Sequence, residues 1–318
     1  MPLDSSTTCV ALTGASGFIG SALTQSLSER GFQVRALARD PRSLSSTDDV
    51  EIVQGSLEDS DSLQRLVHGA GVVIHCAGAI KARSSKEFKA INAEGTERLV
   101  AAVAETSSRP RIMLVSSLAA REPLLSPYAA SKRAAEEVMA RPETGLEYCV
   151  VRPPAVYGPG DRSTLGLFRQ LVRGYAIVPW RVHGRFSLIY IDDLVAAMER
   201  LLLVPKWSAS VIEPDDGREK GYSWTDLAEI ASAHLGRPVR CLAVPFQAVW
   251  VPAAVNEAVS SVLGRSPMLT KGKLRELFHA DWVCKLSHPR VLEEWQPRTR
   301  FKEGFERTLL WYKRQDWL

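Results

Sequence analysis

The chain has 318 residues, 45% apolar and 24% charged, the profile of an ordinary soluble globular protein with room for one large domain or two small ones. Its net charge of +4 includes no concentrated Lys/Arg run, so a nucleic-acid interface is not expected. Five widely spaced cysteines without a Cys-x-x-Cys pair, and six histidines without ligand spacing, argue for reduced thiols and against a metal site.

The opening Met1-Pro2-Leu3-Asp4-Ser5-Ser6 lacks the basic region of a signal peptide, and no apolar stretch is long enough for a spanning helix, so a cytoplasmic chain is expected. Strand-like and helix-like segments then alternate. Cys9–Thr13 reads as a strand, Gly20–Arg30 as a helix, Gln33–Ala38 and Glu51–Gln54 as strands, and Asp61–His68 as a helix. Val72–Cys76 is a strand of β-branched residues, followed by a helix at Asn92–Glu105, a strand at Arg111–Val115, a helix at Tyr128–Arg141 and a strand at Leu146–Val151. Continuous apolar strands in β-α-β order predict a parallel sheet covered on both faces.

Past Pro153 the pattern loosens, and seven of the eight tryptophans lie beyond residue 200. Phe186–Ile191 and Ser210–Ile212 read as further strands, and Phe301, Phe305, Leu309 and Tyr312 as one face of a closing helix. The fold class is α/β: a Rossmann-type doubly wound parallel sheet with a smaller C-terminal substrate-binding lobe. The dinucleotide-binding core is expected over 1–175, with core strands also from about 186–213. The lobe lies mainly in 176–318, interleaved with the core.

Between the first strand and helix stands Thr13-Gly14-Ala15-Ser16-Gly17-Phe18-Ile19-Gly20. Glycines let the backbone turn tightly beside a pyrophosphate, and the helix start offers free N–H groups. Gly14, Ser16, Gly17, Phe18, Ile19 and Gly20 are therefore candidate dinucleotide contacts. The second strand ends Ala38-Arg39-Asp40, where the adenosine ribose of such a cofactor lies. Arg39 can stack on adenine and pair a 2′-phosphate, which favours NADP over NAD. The alternative leaves Arg39 as a solvated charge and gives the ribose to Asp40.

Ser117 follows the strand at Arg111–Val115, and Tyr128 and Lys132 are four apart on the next helix, hence on one face. Tyrosine is a poor acid or base near neutrality, but a nearby ammonium lowers its pKa. Tyr128 can then exchange a proton with a carbonyl oxygen during hydride transfer, Ser117 can hold that oxygen, and Lys132 can also hold the nicotinamide ribose.

These segments, with His75-Cys76-Ala77-Gly78, Asn92-Ala93-Glu94-Gly95-Thr96, Arg152-Pro153-Pro154-Ala155-Val156-Tyr157-Gly158-Pro159-Gly160 and Tyr190-Ile191-Asp192-Asp193-Leu194, resemble the extended short-chain dehydrogenase/reductases, the NAD-dependent epimerase/dehydratase superfamily. The resemblance covers roughly residues 8 to 200. It implies the triad roles for Ser117, Tyr128 and Lys132, and a nicotinamide side lined by Ala77, Gly78, Pro153, Ala155 and Val156. It makes Asn92 structural or part of a proton path. Gln54-Gly55-Ser56-Leu57 stands where many members have Gly-Asp-Leu near adenine, so Ser56 and Leu57 are cofactor candidates. Ser117 and Tyr128 are only 11 apart, a shorter gap than in sugar-nucleotide epimerases and dehydratases. Leu118-Ala119 also replaces the Asp-Glu pair that dehydratases carry.

Tyr157 and Arg185, with Lys81 and Arg83 on weaker grounds, are candidate substrate contacts. Arg185 can hold a phosphate or pair with Asp192 or Asp193. Phe246–Leu263 holds 12 apolar residues of 18, with Arg237, Arg240, Arg265, Lys271, Lys273 and Arg275 nearby. Such a segment suits peripheral membrane contact, or a helix packed on the lobe. The expected partner is a small molecule, and a homodimer is the working expectation. The expected activity is NAD(P)-dependent hydride transfer to or from a ketone or secondary alcohol of a lipid-like substrate, keto-sphingolipid or sterol in type. The alternatives are a nucleotide-sugar 4-epimerase or reductase, and a non-catalytic assembly subunit that keeps the cofactor site.

Overall fold

The computed structural model describes residues 8–44, 50–180, 184–207, 209–262, 270–286, 292 and 294–318. Leu263 and Arg265 lie outside the described residues. The first half contains β1 (Cys9–Thr13), α1 (Phe18–Glu29), β2 (Gln33–Ala38), β3 (Val50–Gln54), α2 (Ser60–Val67), β4 (Val72–His75), α3 (Ser85–Lys89), α4 (Gly95–Glu105), β5 (Arg111–Val115), α5 (Pro127–Met139) and β6 (Tyr148–Val151). It continues with β7 (Ala155–Tyr157), α6 (Leu165–Val172), β8 (Tyr175–Pro179), β9 (Arg185–Phe186), β10 (Leu188–Tyr190), α7 (Ile191–Leu202) and β11 (Ser210–Ile212). The lobe adds α8 (Trp224–Leu235), β12 (Arg240–Val244), α9 (Phe246–Val262), α10 (Lys271–Phe278), β13 (Asp281–Trp282) and α11 (Phe301–Arg314).

Seven strands form one sheet in the order β11-β6-β5-β4-β1-β2-β3, and the pairings are parallel throughout. Strand order reverses between β1 and β4, where a doubly wound sheet opens a crevice at its carboxyl edge. Alternate residues feed two apolar cores. Val10, Leu12, Val34, Ile74 and Met113 face one, beside Leu23 and Leu27 of α1 and Leu194 and Met198 of α7. Ala11, Val73, Ile112, Leu114 and Val150 face the other, beside Leu63 of α2, Leu99 of α4 and Val138 of α5. That double burial explains why these strands read as unbroken apolar runs.

Of the expected strands in 186–213, only Ser210–Ile212 joins this sheet, beside β6. The Phe186–Ile191 run is divided: Arg185–Phe186 pairs with β13, Leu188–Tyr190 pairs with β7, and Ile191 opens α7. The reason is Ser187. It is buried, and its hydroxyl donates to Asp215 at 2.8 Å and accepts the Cys284 N–H at 3.1 Å.

Phe301, Phe305, Leu309 and Tyr312 are buried on one side of α11. They meet Phe168 of α6 and Tyr157 of β7, with Tyr157 and Phe301 centroids 5.3 Å apart. Tyr157 can approach because α11 has Gly304 there: a Cβ at that position would lie 2.2 Å from the Tyr157 hydroxyl oxygen. Replacing a helical glycine by alanine ordinarily stabilises by about 1 kcal/mol. Gly304→Ala is expected to do the reverse, destabilising by about 1–3 kcal/mol through overpacking. A urea titration gives the sign.

Candidate active site

The carboxyl ends of four neighbouring strands bring the expected residues together. Thr13 of β1 is in register with His75 of β4, His75 with Leu114 of β5, and Val115 with Val151 of β6. The glycine turn, Ala77-Gly78, Ser117 and Pro153 therefore leave the sheet along one edge.

Gly14 adopts φ +74°, and a Cβ there would fall 2.5 Å from the Ala77 nitrogen, so the turn lies against the β4 loop. Gly20 touches the same turn from the helix, since its Cβ would fall 2.1 Å from the Gly14 carbonyl oxygen. α1 begins at Phe18 with Gly17 as N-cap, no side-chain cap and no acidic residue in its first turn. The first N–H groups of a helix have no partner within it. Ser16 and Gly17 are exposed and Phe18 and Ile19 partly so, so this helix start fits a pyrophosphate in geometry and in charge.

Arg39 is exposed just past β2. Asp40 is engaged locally: its carboxylate accepts the Arg42 N–H at 3.1 Å, Nε at 3.0 Å and Nη2 at 3.1 Å. The Arg42 hydrogen bonds hold the Asp40 carboxyl below its ordinary value. On the next strand Ser56 lies just after β3, its hydroxyl accepting the Glu58 N–H at 3.2 Å. Leu57 packs against Gly95 at the start of α4.

Ser117 caps the short turn Leu118–Arg121, accepting the Ala119 N–H at 3.2 Å. Leu118 N–H donates to the Pro153 carbonyl at 2.9 Å, which ties the serine loop to the β6–β7 connection. Ala155 is exposed at the start of β7 and Val156 partly buried. α5 starts one residue earlier than the periodicity predicts: Ser126 caps it, accepting the Ala129 N–H at 2.9 Å, and Pro127 fills the first helical position. Tyr128 is then in the first turn and Lys132 one turn further on.

Lys132 is buried, and its Nζ donates to the Val115 carbonyl at 3.0 Å. A Cβ on Gly78 would lie 3.0 Å from that Nζ and 3.1 Å from Asn92 Oδ1, so the β4 loop passes directly over the lysine. Burial pulls the Lys132 ammonium down to about 8, against the pull of Cys76 and Glu136. Tyr128 goes the other way: burial pushes the phenol up to about 12, with a hydrogen bond to Ser117 acting in the opposite sense and the Glu276 charge adding to the rise. The expected lowering of Tyr128 by Lys132 is thus corrected. Desolvation is the largest cause of the shift, and the Lys132 ammonium is not among its causes.

Asn92 lies in a π-helical turn, Ala90–Glu94. It accepts the Ala79 N–H at 2.7 Å and donates to the Ala79 carbonyl at 3.1 Å and to Ser131 at 2.8 Å. Its amide clamps the β4 loop to α5. His75 is buried between Thr13 at 2.6 Å and Thr96 at 3.0 Å, and burial takes its imidazole down to about 3. Among the described residues, no group of three His, Cys, Asp or Glu side chains is placed to hold a metal ion.

Two expected substrate contacts sit elsewhere. Tyr157 is 1% exposed in the aromatic core, facing Gly304 rather than a pocket. Arg185 pairs with Asp226 at 3.5 Å and donates to the Lys220 carbonyl and, at 3.0 Å, to the Gly221 carbonyl. Its partner is neither Asp192 nor Asp193: Asp193 instead accepts the Arg298 and Thr299 N–H groups. Lys81 is exposed on the β4 loop, and the Arg83 N–H donates to Glu87 at 2.6 Å.

Two carboxylates escaped the sequence reading. Glu136, buried, accepts from Ser116 at 2.5 Å and from Arg152 Nε at 2.8 Å and Nη2 at 2.5 Å. Its i+4 spacing from Lys132 could have flagged it. Glu276, buried on α10, accepts a hydrogen bond from Ser126, the cap of α5. Far along the chain from Tyr128, it carries no spacing signal.

The sequence model of the NAD dependent epimerase/dehydratase family matches residues 10–210. The chain is 37% identical to a ceramide reductase of Caulobacter vibrioides over 97% of this chain and 96% of that one. It is 24% identical to a UDP-glucose 4-epimerase of Vibrio cholerae over 94% of each. Among solved structures, MoeE5 in complex with UDP-glucuronic acid and NAD superposes with a TM-score of 0.71 at 22% identity, over 97% of this chain and 99% of that one. The chain belongs to the NAD dependent epimerase/dehydratase family of extended short-chain dehydrogenase/reductases, and it is an NAD(P)-dependent oxidoreductase acting on a ketone or secondary alcohol.

Proposed function

We propose that this protein reduces the ketone of a long-chain sphingolipid of the ceramide type, with NADPH as donor. The observation that carries the reading is the short serine–tyrosine loop. Ser117 is followed by a single turn, Leu118–Arg121, and Leu124 beyond it is exposed. Ile80 is exposed on the β4 loop, and the Phe88 ring meets Tyr128 edge-on at 6.0 Å. Apolar side chains thus stand beside the polar Ser117–Tyr128 pair. Arg185, the side chain expected to hold a phosphate, is spent on Asp226 and two backbone carbonyls. The 37% identity to a ceramide reductase along nearly the whole chain supports the same substrate class.

A dinucleotide held by its pyrophosphate on the glycine turn would supply the hydride from its nicotinamide. The protonated Tyr128 phenol gives the carbonyl oxygen its proton, so that the ketone leaves as a secondary alcohol. Ser117 holds that oxygen by a second hydrogen bond. Lys132, beneath Gly78, would hold the nicotinamide ribose and supply positive charge to the site. The preference for NADPH is read from Arg39, which is exposed just past β2, while Asp40 is occupied by Arg42. We place the enzyme on the cytoplasmic side, where its five free cysteines stay reduced.

Cofactor oxidation with long-chain keto-sphingolipids, 3-ketosteroids and UDP-sugars as separate substrates tests the reading. Turnover of the keto-sphingolipid is expected, and turnover of UDP-sugars alone overturns it. Tyr128→Phe should lower kcat by about 10²- to 10⁴-fold with cofactor affinity retained; an unchanged kcat removes the proposed acid. Arg39→Ala should raise the KM for NADPH about 10- to 150-fold and leave NADH nearly untouched, given about 1.5–3 kcal/mol for a charged hydrogen bond.

Lys132 also has a stability signature. A lysine held at about 8 in the folded state and at 10.5 when free binds fewer protons folded than unfolded across that window. Its cost is present in full below about 8 and fades as pH rises towards 10.5. Lys132→Met should therefore melt higher than wild type at neutral pH, and the gap should close between about 8 and 10.5. A gap independent of pH would contradict this.

A further inference from the structure

The outward face of α9 has no role in the chemistry above, and its composition is unusual for a helix facing water. Trp250 is 38% exposed, Val251 58%, Val255 57% and Val259 51%. The three valines are spaced by four and form one stripe, whereas Ala253 on the opposite side is fully buried. Glu257 is the single charged residue of α9, and its carboxylate accepts the Lys271 N–H at 3.3 Å. A surface helix of a globular protein normally turns charged residues outward, and a contiguous exposed apolar stripe marks a contact surface.

The apolar surface continues along the chain. β12, which leads into α9, pairs with β8 so that Leu242 lies opposite Ile177, and both are exposed. Arg240 is exposed two residues before Leu242, hence on the same side of the strand. Trp180 is exposed beside the end of this ribbon, its N–H donating to the Val244 carbonyl at 2.7 Å.

The exposed charges on β8, β12, α9 and α10 are basic, with Lys273 paired to the buried Glu276 at 3.0 Å. Lys271 holds its ammonium 5.9 Å over the Trp250 ring, and Lys273 and Arg275 are exposed on α10. On β8, β12, α9 and α10 together the acidic residues are Glu257 and Glu276, and neither is exposed. Tryptophan under a lysine, apolar surface beyond it and basic residues at the rim is the pattern of a membrane-interface segment. The core of a protein–protein contact, by contrast, is depleted in lysine. No helix among the described residues is long and apolar enough to cross a membrane.

We propose that α9, with the outer face of the β8–β12 ribbon, docks on an anionic phospholipid bilayer and lies in its interfacial layer. The placement relative to the site is direct. α10 packs against α9 through Phe246 and Phe278, with ring centroids 5.2 Å apart. It also rests on the start of α5, where a Cβ on Gly272 would fall 2.8 Å from Ser126 Cβ. A bilayer under α9 thus lies one helix away from Tyr128. The docking is argued from exposed residues and stands apart from the substrate reading, although a lipid ketone would reach such a site without crossing water.

Flotation of the purified full chain with vesicles of phosphatidylcholine, alone or with phosphatidylglycerol added, is the test. Recovery with the anionic vesicles is expected to exceed that with the neutral ones at least about tenfold at low salt, and to fall as salt is raised. The Val251→Glu/Val255→Glu variant should lose about tenfold or more of that recovery with an unchanged melting temperature. Trp250→Ala, a milder change, should lose part of it. Failure of wild type to float, or equal recovery of the variants, overturns the proposal. So does a wild-type dimer in sedimentation that the double variant dissociates, which would assign the stripe to a second copy. Vesicle binding needs no turnover, so a failed substrate assay and a failed docking assay remain distinguishable.

Discussion

Lys132 keeps an amine in the interior, with the Val115 carbonyl 3.0 Å from Nζ and Glu136 one turn further along α5. Burying an ammonium is costly unless it is paired and hydrogen-bonded, and much of the surrounding architecture answers that cost. β5 must end where its last carbonyl can face Nζ. Glu136 must be present, and it in turn requires Arg152 at the end of β6 and Ser116 at the end of β5 to satisfy its oxygens. Arg152 also faces Glu213, just past β11, at 3.6 Å. Glu136 and Arg152 thereby tie the ends of β5, β6 and β11 to α5, the helix that carries Lys132 and Tyr128.

The same arrangement separates two protonation states. Tyr128 and Lys132 are both desolvated, but desolvation raises the phenol and lowers the amine. Burial thus keeps the phenol in its protonated form and the amine less firmly so. Asn92 adds rigidity without charge, since each of its polar atoms is committed to Ala79 or Ser131.

What could be read from the sequence was local. The glycine turn, the strand ends and the Tyr128–Lys132 spacing each need fewer than ten neighbouring residues to be recognised, and the sheet's two buried faces appear as unbroken apolar strands. Arg185 was misread because its partner Asp226 belongs to α8, far from it in sequence. Tyr157 was misread because an aromatic residue after a strand looks alike whether it borders a pocket or fills a core. Only Gly304 in the last helix, by leaving space for the ring, decides between the two. The direction of the Tyr128 shift depends on burial, which no spacing rule encodes. Ser187 likewise divides an apparent strand through bonds to Asp215 and Cys284, neither of which is near it in the chain.

The contact between Ser126 and Glu276 bears on the order in which this enzyme is made. Domains form as they emerge during synthesis, N-terminal parts first. β1 to β6 and α5 are translated long before α10, so the parallel sheet can assemble while the helix bearing the proton donor still lacks the carboxylate that seats its cap. A nascent chain stalled before α10 would hold a dinucleotide cradle without a finished acid. Glu276 is thus the last of these site partners to be translated.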